Sequence, residues 1–366
     1  MQNVGVHKIL CKSPGDVSGA LALIESGVID PAKIIAVMGK TEGNGCVNDF
    51  TREYATHAWC HALAPHLAIS AAEVEHRIAF VMSGGTEGIL SPHFTIFTRC
   101  VTPGEHDGDP RLAVGVAFTR EFLPEELGTT IQAYETERAV KRAMEDAGIT
   151  GTADVHFVQV KCPLLTSTKM ADALARGKQT VVHDTYESMG VSRGASALGV
   201  ALAMGEVQEQ AVTDAAINTD WSLYSGVASA SAGIEIDYNV VIVMGMSRSA
   251  ISPYVIAHGV MSDAIDADSI RTCLVEGLGL ALEQRAAVAE RVVNVFGKAE
   301  ASPGGLVRGA RHTMLNDSDI NSTRHARAAV GAVVASVVGQ SAVYVSGGAE
   351  HQGPAGGGPF AVIARV

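Results

Sequence analysis

Aromatic residues are scarce in this chain of 366 residues: 2 Trp, 7 Tyr and 9 Phe amount to 5 % of it. So thin a supply disfavours a base-stacking platform for nucleic acid. Positive charge is also short, with 27 Lys and Arg against 39 Asp and Glu, a net charge of −12. With no basic cluster besides, nucleic acid and anionic membranes are poor partners. No run of about 18 uncharged apolar residues occurs, so no membrane-spanning helix is expected. The opening segment MQNVGVHKILCKSPGD lacks an apolar core and a small-residue cleavage site, so it does not read as a secretory signal. Cysteine is sparse: six, scattered, with no CxxC pair, which suits reduced thiols in the cytoplasm. What is abundant is apolar side chain, 47 %, enough to bury a large core. A cytoplasmic globular enzyme is expected.

Three signals recur in one order. Apolar runs end in lysine: IIAVMG at Lys40, VHFVQV at Lys161 and RVVNVFG at Lys298. Such runs read as buried strands with the lysine at the rim of a sheet. Thr51-Arg52, Ser192-Arg193 and Thr323-Arg324 then precede runs of small and apolar residues. The hydroxyl residue reads as an N-cap, which puts each arginine in a first helical turn. Arginine is unfavourable there with respect to the helix dipole, so three in register point to a ligand. The third signal is Ser-[Gly/Ala]-Gly-x-Glu, at Ser83–Glu87, Ser231–Glu235 and Ser346–Glu350. Small residues after each serine let a ligand approach the backbone and leave N–H groups free to donate.

The order implies three α+β repeats, A over 1–105, B over 106–250 and C over 251–366. The junctions PGEHDGDP (103–110) and SRSAISP (247–253) carry the expected turn residues. Segment 130–148 reads as an amphipathic helix with a solvated charged face. Serine beside lysine is a known pairing of nucleophile and base. The lysine must lose its proton well below its usual pKa of about 10.4, which burial and neighbouring arginines would promote. Three such sets converging on one cavity would suit a ring bearing carbonyls at alternating positions.

VMGKTEGNGCVNDFTREYAT (37–56), FVMSGGTEGILSPH (80–93), GKAEASPGG (297–305) and VSGGAEHQGPAGGGP (345–359) resemble the signature segments of the cyanuric acid hydrolase and barbiturase family, and the resemblance runs through the whole chain. It implies three similar repeats in a pseudo-threefold, barrel-like assembly around one site, with hydrolytic opening of cyanuric acid to carboxybiuret, then biuret and carbon dioxide. By the same resemblance Lys161 is the base and Ser231 the nucleophile. Arg52, Arg193 and Arg324 hold ring oxygens. Ser83 with Gly84, Ser231 with Ala232, and Ser346 with Gly347 bind the carbonyls, while Lys40 and Lys298 support them. No cofactor is implied for the chemistry. A structural magnesium or calcium ion is implied at Glu300, Ala349, Gln352, Gly353, Pro354 and Gly357, a donor set of one carboxylate and many backbone oxygens. A homotetramer is implied as well.

Other patterns have plainer explanations. Gly39-Lys40-Thr41 lacks the upstream glycine of a phosphate loop, where Ile34 stands. His57 and His61 have metal-ligand spacing but no third ligand, so they read as a packed or solvated pair. Cys162, Trp59 and Trp221 read as core. Three rivals remain: barbiturase with the same Lys161 and Ser231; a nucleophile-elbow serine hydrolase at Ser229–Gly233, which needs a downstream histidine; and a non-catalytic small-ligand binder.

Overall fold

The computed structural model describes residues 1–104, 106 and 108–366. The boundary expected at residue 105 therefore lies outside the described residues. In chain order the elements are β1 (Gln2–Leu10), α1 (Ser18–Glu25), β2 (Ile34–Thr41), α2 (Phe50–Leu67), α3 (Ala71–Arg77), β3 (Ala79–Gly84) and β4 (His93–Val101). They continue with β5 (Arg111–Phe118), α4 (Thr130–Ala147), β6 (Val155–Pro163), α5 (Ser167–Ala175), α6 (Thr185–Met204), β7 (Ala228–Gly233) and β8 (Val240–Ser247). Last come β9 (Tyr254–Met261), α7 (Ala267–Thr272), α8 (Arg285–Arg291), β10 (Val292–Ala299), β11 (Leu306–Val307), β12 (Ala310–Arg311), α9 (Ser322–Val338), β13 (Tyr344–Gly347) and β14 (Gly358–Arg365).

Twelve of these strands form three sheets, ordered β1-β4-β2-β3, β5-β8-β6-β7 and β9-β14-β10-β13, and β11 pairs with β12. The strand order is the same each time. In each sheet the lysine-bearing strand lies parallel to the serine-bearing strand, and the register sets Lys40 beside Ser83, Lys161 beside Ser231 and Lys298 beside Ser346. Directly paired residues point to the same face of a sheet. The three lysines and their serines are thereby brought side by side by backbone pairing alone.

One face of each sheet is covered by helices. Val37, Met82 and Phe94 meet Trp59 and Leu63 in the first. Val158 and Val243 meet Val140 and Val200 in the second, and Val295 and Val362 meet Val330 and Val334 in the third. The opposite faces share one further core, in which Val6, Met38, Val114, Ile242, Ile256 and Ile363 are all buried. Phe296 sits near its middle, with ring centres 6.3 Å from Phe97, 5.7 Å from Phe157 and 5.8 Å from Tyr344. With both faces covered, strands are apolar almost throughout rather than alternating.

The helix starts differ from the N-caps expected at Thr51, Ser192 and Thr323. The caps are Asp49, Asp184 and Asn321, whose side-chain oxygens accept backbone N–H groups. Each can do so without a methyl or a rotatable hydroxyl in the way. Arg52 and Arg324 do fall in first turns, but Arg193 lies in the third turn of α6. Ser192 is an interior residue whose hydroxyl donates to the Pro163 carbonyl at 2.6 Å. Helix 130–147 forms as expected, with Arg138 and Lys141 outward in pairs to Glu135 and Glu137. Trp59 and Cys162 are buried. Trp221 is not core: it is 37 % exposed and stacks on His351, where a buried imidazole offers it a flat partner. Among the described residues no helix is long and apolar enough to cross a membrane.

Candidate active site

Lys40 and Lys298 occupy the penultimate positions of β2 and β10, Lys161 lies two residues before the end of β6, and each is at most 1 % exposed. Ser83, Ser231 and Ser346 stand beside them at the ends of β3, β7 and β13. A small cavity gathers Arg52, Ser83, Gly84, Lys161, Arg193, Ser231, Ala232, Ser346 and Gly347, with Gly45, Met82, Met189 and Arg327. Its walls come from all three sheets. A larger open groove beside β9, lined by His258, Asp266 and Glu276 among others, brings together no lysine and serine. Its Asp266 is occupied in holding the backbone N–H groups of Ser262 and Ser269.

Arg324 is not among the residues that line this cavity. Its Nε donates to the Asn44 carbonyl at 3.3 Å and the side chain is half-buried. The arginine that lines the cavity is Arg327, 3 % exposed and three residues further along α9. Arg324 and Arg327 are neighbours on α9, and Arg327 Nη2 donates to the same Asn44 carbonyl at 3.3 Å.

The three cavity arginines are paired by the glutamates that close the Ser-x-Gly-x-Glu motifs. Arg193 Nε and Nη2 donate to Glu350 at 2.7 and 2.6 Å. Arg327 makes the same two-point contact with Glu87, its Nε bond measuring 2.8 Å. Arg52 approaches Glu235 at 3.5 Å. Each pair joins two different sheets, and the series closes on itself: the first sheet's α2 to the end of β7, α6 to the end of β13, α9 to the end of β3. Glycine is required beneath these pairs. Gly85 and Gly348 have φ of +102° and +80°, and a Cβ on either would lie 2.6 Å from the guanidinium of Arg327 or Arg193.

Burial pushes all three lysines below their ordinary pKa. For Lys298 the effect, aided by Arg193, brings it down to about 7. Lys161 is also lowered, with Arg52 acting alongside burial and the Glu235 carboxylate acting against it. What separates the lysines is their contacts. Lys40 Nζ donates to Ser83 Oγ and the Gly84 carbonyl at 3.3 and 3.2 Å. Lys298 Nζ donates to Ser346 Oγ at 3.3 Å and to the carbonyls of Ala230 and Gly347. Lys161 instead donates to the Met82 carbonyl at 3.0 Å and faces Glu235 at 2.7 Å. Among the described residues Ser231 Oγ, although buried, has no hydrogen-bond partner.

A model of the amidohydrolase ring-opening protein family matches residues 5–365. The chain belongs to that family. A cyanuric acid amidohydrolase of Pseudomonas sp. (strain ADP) is 63 % identical over 367 residues, covering 100 % of both chains. Another from Bradyrhizobium diazoefficiens is 60 % identical, covering 100 % of this chain and 98 % of its own. A solved cyanuric acid hydrolase matches with a TM-score of 0.96 at 62 % identity, covering both chains fully. A second, from A. caulinodans, gives 0.92 at 50 % identity and covers 100 % of this chain and 99 % of its own.

For a ring-opening amidohydrolase the nucleophile-elbow alternative fits poorly. Ser231 lies within strand β7 rather than on a strand-to-helix turn, and no histidine is among the residues lining the cavity. The carboxylate of Glu300 accepts the N–H groups of Ala301 and Ala349 at 3.0 and 2.7 Å. Burial beside Glu350 pushes it up to about 7. Gln352 spends its side-chain oxygen on the Ala230 N–H at 2.7 Å, so only its main-chain carbonyl would be available to an ion. Among the described residues no group of three or more His, Cys, Asp or Glu could hold a metal. One buried carboxylate with main-chain oxygens of a glycine-rich turn still fits a hard cation. Glu87, Glu235 and Glu350 pair with the cavity arginines, and a glutamate at the fifth motif position three times over was the available signal.

Proposed function

We propose that this protein opens the ring of cyanuric acid by hydrolysis, with Ser231 as nucleophile and Lys161 as its base. The observation that carries this is the single cavity to which all three sheets contribute a serine and an arginine. A planar ring with three alternating carbonyls meets there the same groups three times. Arg52, Arg193 and Arg327 would hold ring oxygens, as would Ser83 with Gly84 and Ser346 with Gly347. Near-full coverage by relatives named cyanuric acid amidohydrolases, at 63 % and 60 % identity, supports the substrate. The three sheets of equal strand order support three repeats, about 1–105, 106–250 and 251–366, in pseudo-threefold array.

Neutral Lys161 takes the Ser231 Oγ proton as Oγ attacks a ring carbonyl carbon. The C–N bond then breaks, and the departing ring nitrogen receives that proton from Lys161. Water attacks the resulting ester, Lys161 taking its proton and returning it to Ser231 Oγ. Carboxybiuret leaves and loses carbon dioxide to give biuret. Lys298, surrounded by three acceptors, is suited to remain a donor, and so supports its serine rather than acting as base. Glu300, with main-chain oxygens of Ala349, Gln352, Gly353, Pro354 and Gly357, would hold a magnesium or calcium ion that orders the turn beside Ser346. A homotetramer is the assembly we expect, measurable by light scattering.

Ser231→Ala and Lys161→Ala should each lower turnover of cyanuric acid by about 10³-fold or more with the melting temperature preserved. Full activity in Ser231→Ala would remove that serine from the chemistry. Turnover of cyanuric and barbituric acid compared side by side decides the ring.

A further inference from the structure

Three glutamates close the three motifs, yet one is used differently. Glu87 and Glu350 spend both oxygens on bidentate contacts with Arg327 and Arg193. Glu235 touches Arg52 only at 3.5 Å and Lys161 at 2.7 Å. Its side chain is 8 % exposed, and among the described residues neither of its oxygens takes an aligned hydrogen bond. A buried carboxylate with unused acceptor capacity is costly unless it has a task or a solvent partner.

The space around it supplies that partner. Glu235 and Lys161 both border a small cavity lined also by Thr56, Glu75, Met82 and Tyr238, and Ser231 is not among its lining residues. Glu235 borders a second, outer cavity as well, walled by Glu53, His57, His61 and Glu75. Thr56 and Glu75 are common to both. Glu235 is the one side chain that touches Lys161 and faces both spaces, so it stands between the buried amine and the surface. Among the described residues Lys40 and Lys298 form no ion pair with a carboxylate; their amines donate to serine hydroxyls and main-chain carbonyls.

We propose that Glu235 is the positioning and proton-relay residue of Lys161, linking it to solvent through the cavity between α2, α3 and β7. This deepens the Ser231–Lys161 reading above and depends on it. Lys161 must be neutral to accept the serine proton, yet only 1 % of it is exposed, so its resting charge depends on the groups it touches. In the relay the ammonium of Lys161 gives one proton to the Glu235 carboxylate, and the resulting carboxylic acid passes it to water in the cavity. The amine is left neutral and the carboxylate is restored. The charged groups facing the pair are Arg52 from α2 and Glu75 from α3; Cys162, beside Lys161, is a buried thiol that burial keeps protonated. Tyr238 lies against the inner cavity, and Glu53, His57 and His61 flank the outer one.

The test is the pH dependence of kcat in Glu235→Gln, which keeps the shape and cannot carry a proton. The relay requires kcat to fall by roughly 10²-fold with KM changed by less than about threefold. Since the carboxylate favours the protonated amine, its removal should also shift the limb on which activity rises with pH toward lower pH. Glu235→Ala, measured with added formate, should regain at least about tenfold of its loss as formate enters the vacated space. Glu87→Gln, which disturbs only an arginine, should raise KM and leave the limb in place. A Glu235→Gln enzyme with the parent's kcat and limb overturns the relay. So does a folded Glu235→Ala enzyme that formate does not restore. Ser231→Ala is assayed alongside: if it remains active, the Ser231–Lys161 reading is what fails, whereas an inactive Ser231→Ala beside an unaltered Glu235→Gln sinks the relay alone.

Discussion

Arg193 and Glu350, 157 residues apart in the chain, meet through two hydrogen bonds of 2.7 and 2.6 Å. Their side chains are 12 % and 14 % exposed, so neither charge is well served by water. Glu350→Ala should destabilise the protein by about 3 kcal/mol, because it strands a guanidinium in the interior. Replacing both partners, as Arg193→Met with Glu350→Leu, should recover much of that stability and none of the turnover. Urea denaturation of the three proteins checks both statements.

Arg327→Ala should cost roughly 10²-fold in kcat/KM, since it removes a cation from the cavity wall and leaves Glu87 without its partner. Arg324→Ala should stay within about threefold of the parent. Equal losses from the two would return Arg324 to the site.

Acidification should weaken the fold through two buried histidines. Burial lowers His93 to about 3 and His156, packed against His258, to about 4. Unfolded, both take up a proton near 6.5, so the unfolded state binds more protons below that pH and stability falls as pH drops from about 6.5 toward 4. At pH 5 the loss is up to roughly 2 kcal/mol per site. A denaturation series from pH 7.5 to pH 5, at roughly half-unit steps, reads the slope, which His156→Asn should flatten.

Chelator should lower the melting temperature of the parent, and Glu300→Ala should do so without chelator while loosening the 349–357 turn to proteolysis. A melting curve indifferent to both would count against the cation.

Much of this site is visible in the primary structure because strands advertise themselves locally. A buried run that ends in lysine, followed by one that ends in serine and small residues, fixes which side chains share a face once the two pair in parallel. The Lys161–Ser231 neighbourhood follows from that alone. The arginines are harder. Arg52 and Arg324 both lie in first turns after their caps, and Arg193 lies in a third turn, yet the residues that reach the cavity are Arg52, Arg193 and Arg327. Local spacing from a cap cannot settle this, because the rotation of a helix on its sheet is decided by packing. The glutamates are harder still. Glu87, Glu235 and Glu350 each find a partner in another part of the chain, and nothing next to them in sequence announces it.

The circuit of ion pairs from Arg52 to Glu235, Arg193 to Glu350 and Arg327 to Glu87 has a bearing on biosynthesis. A nascent or prematurely terminated polypeptide that ends before Glu350 has one wall missing and a cation with no counter-ion. Such a product is inert and poorly folded, not a slower version of the whole. Catalytic competence should therefore arrive in one step, when the last strands come off the ribosome.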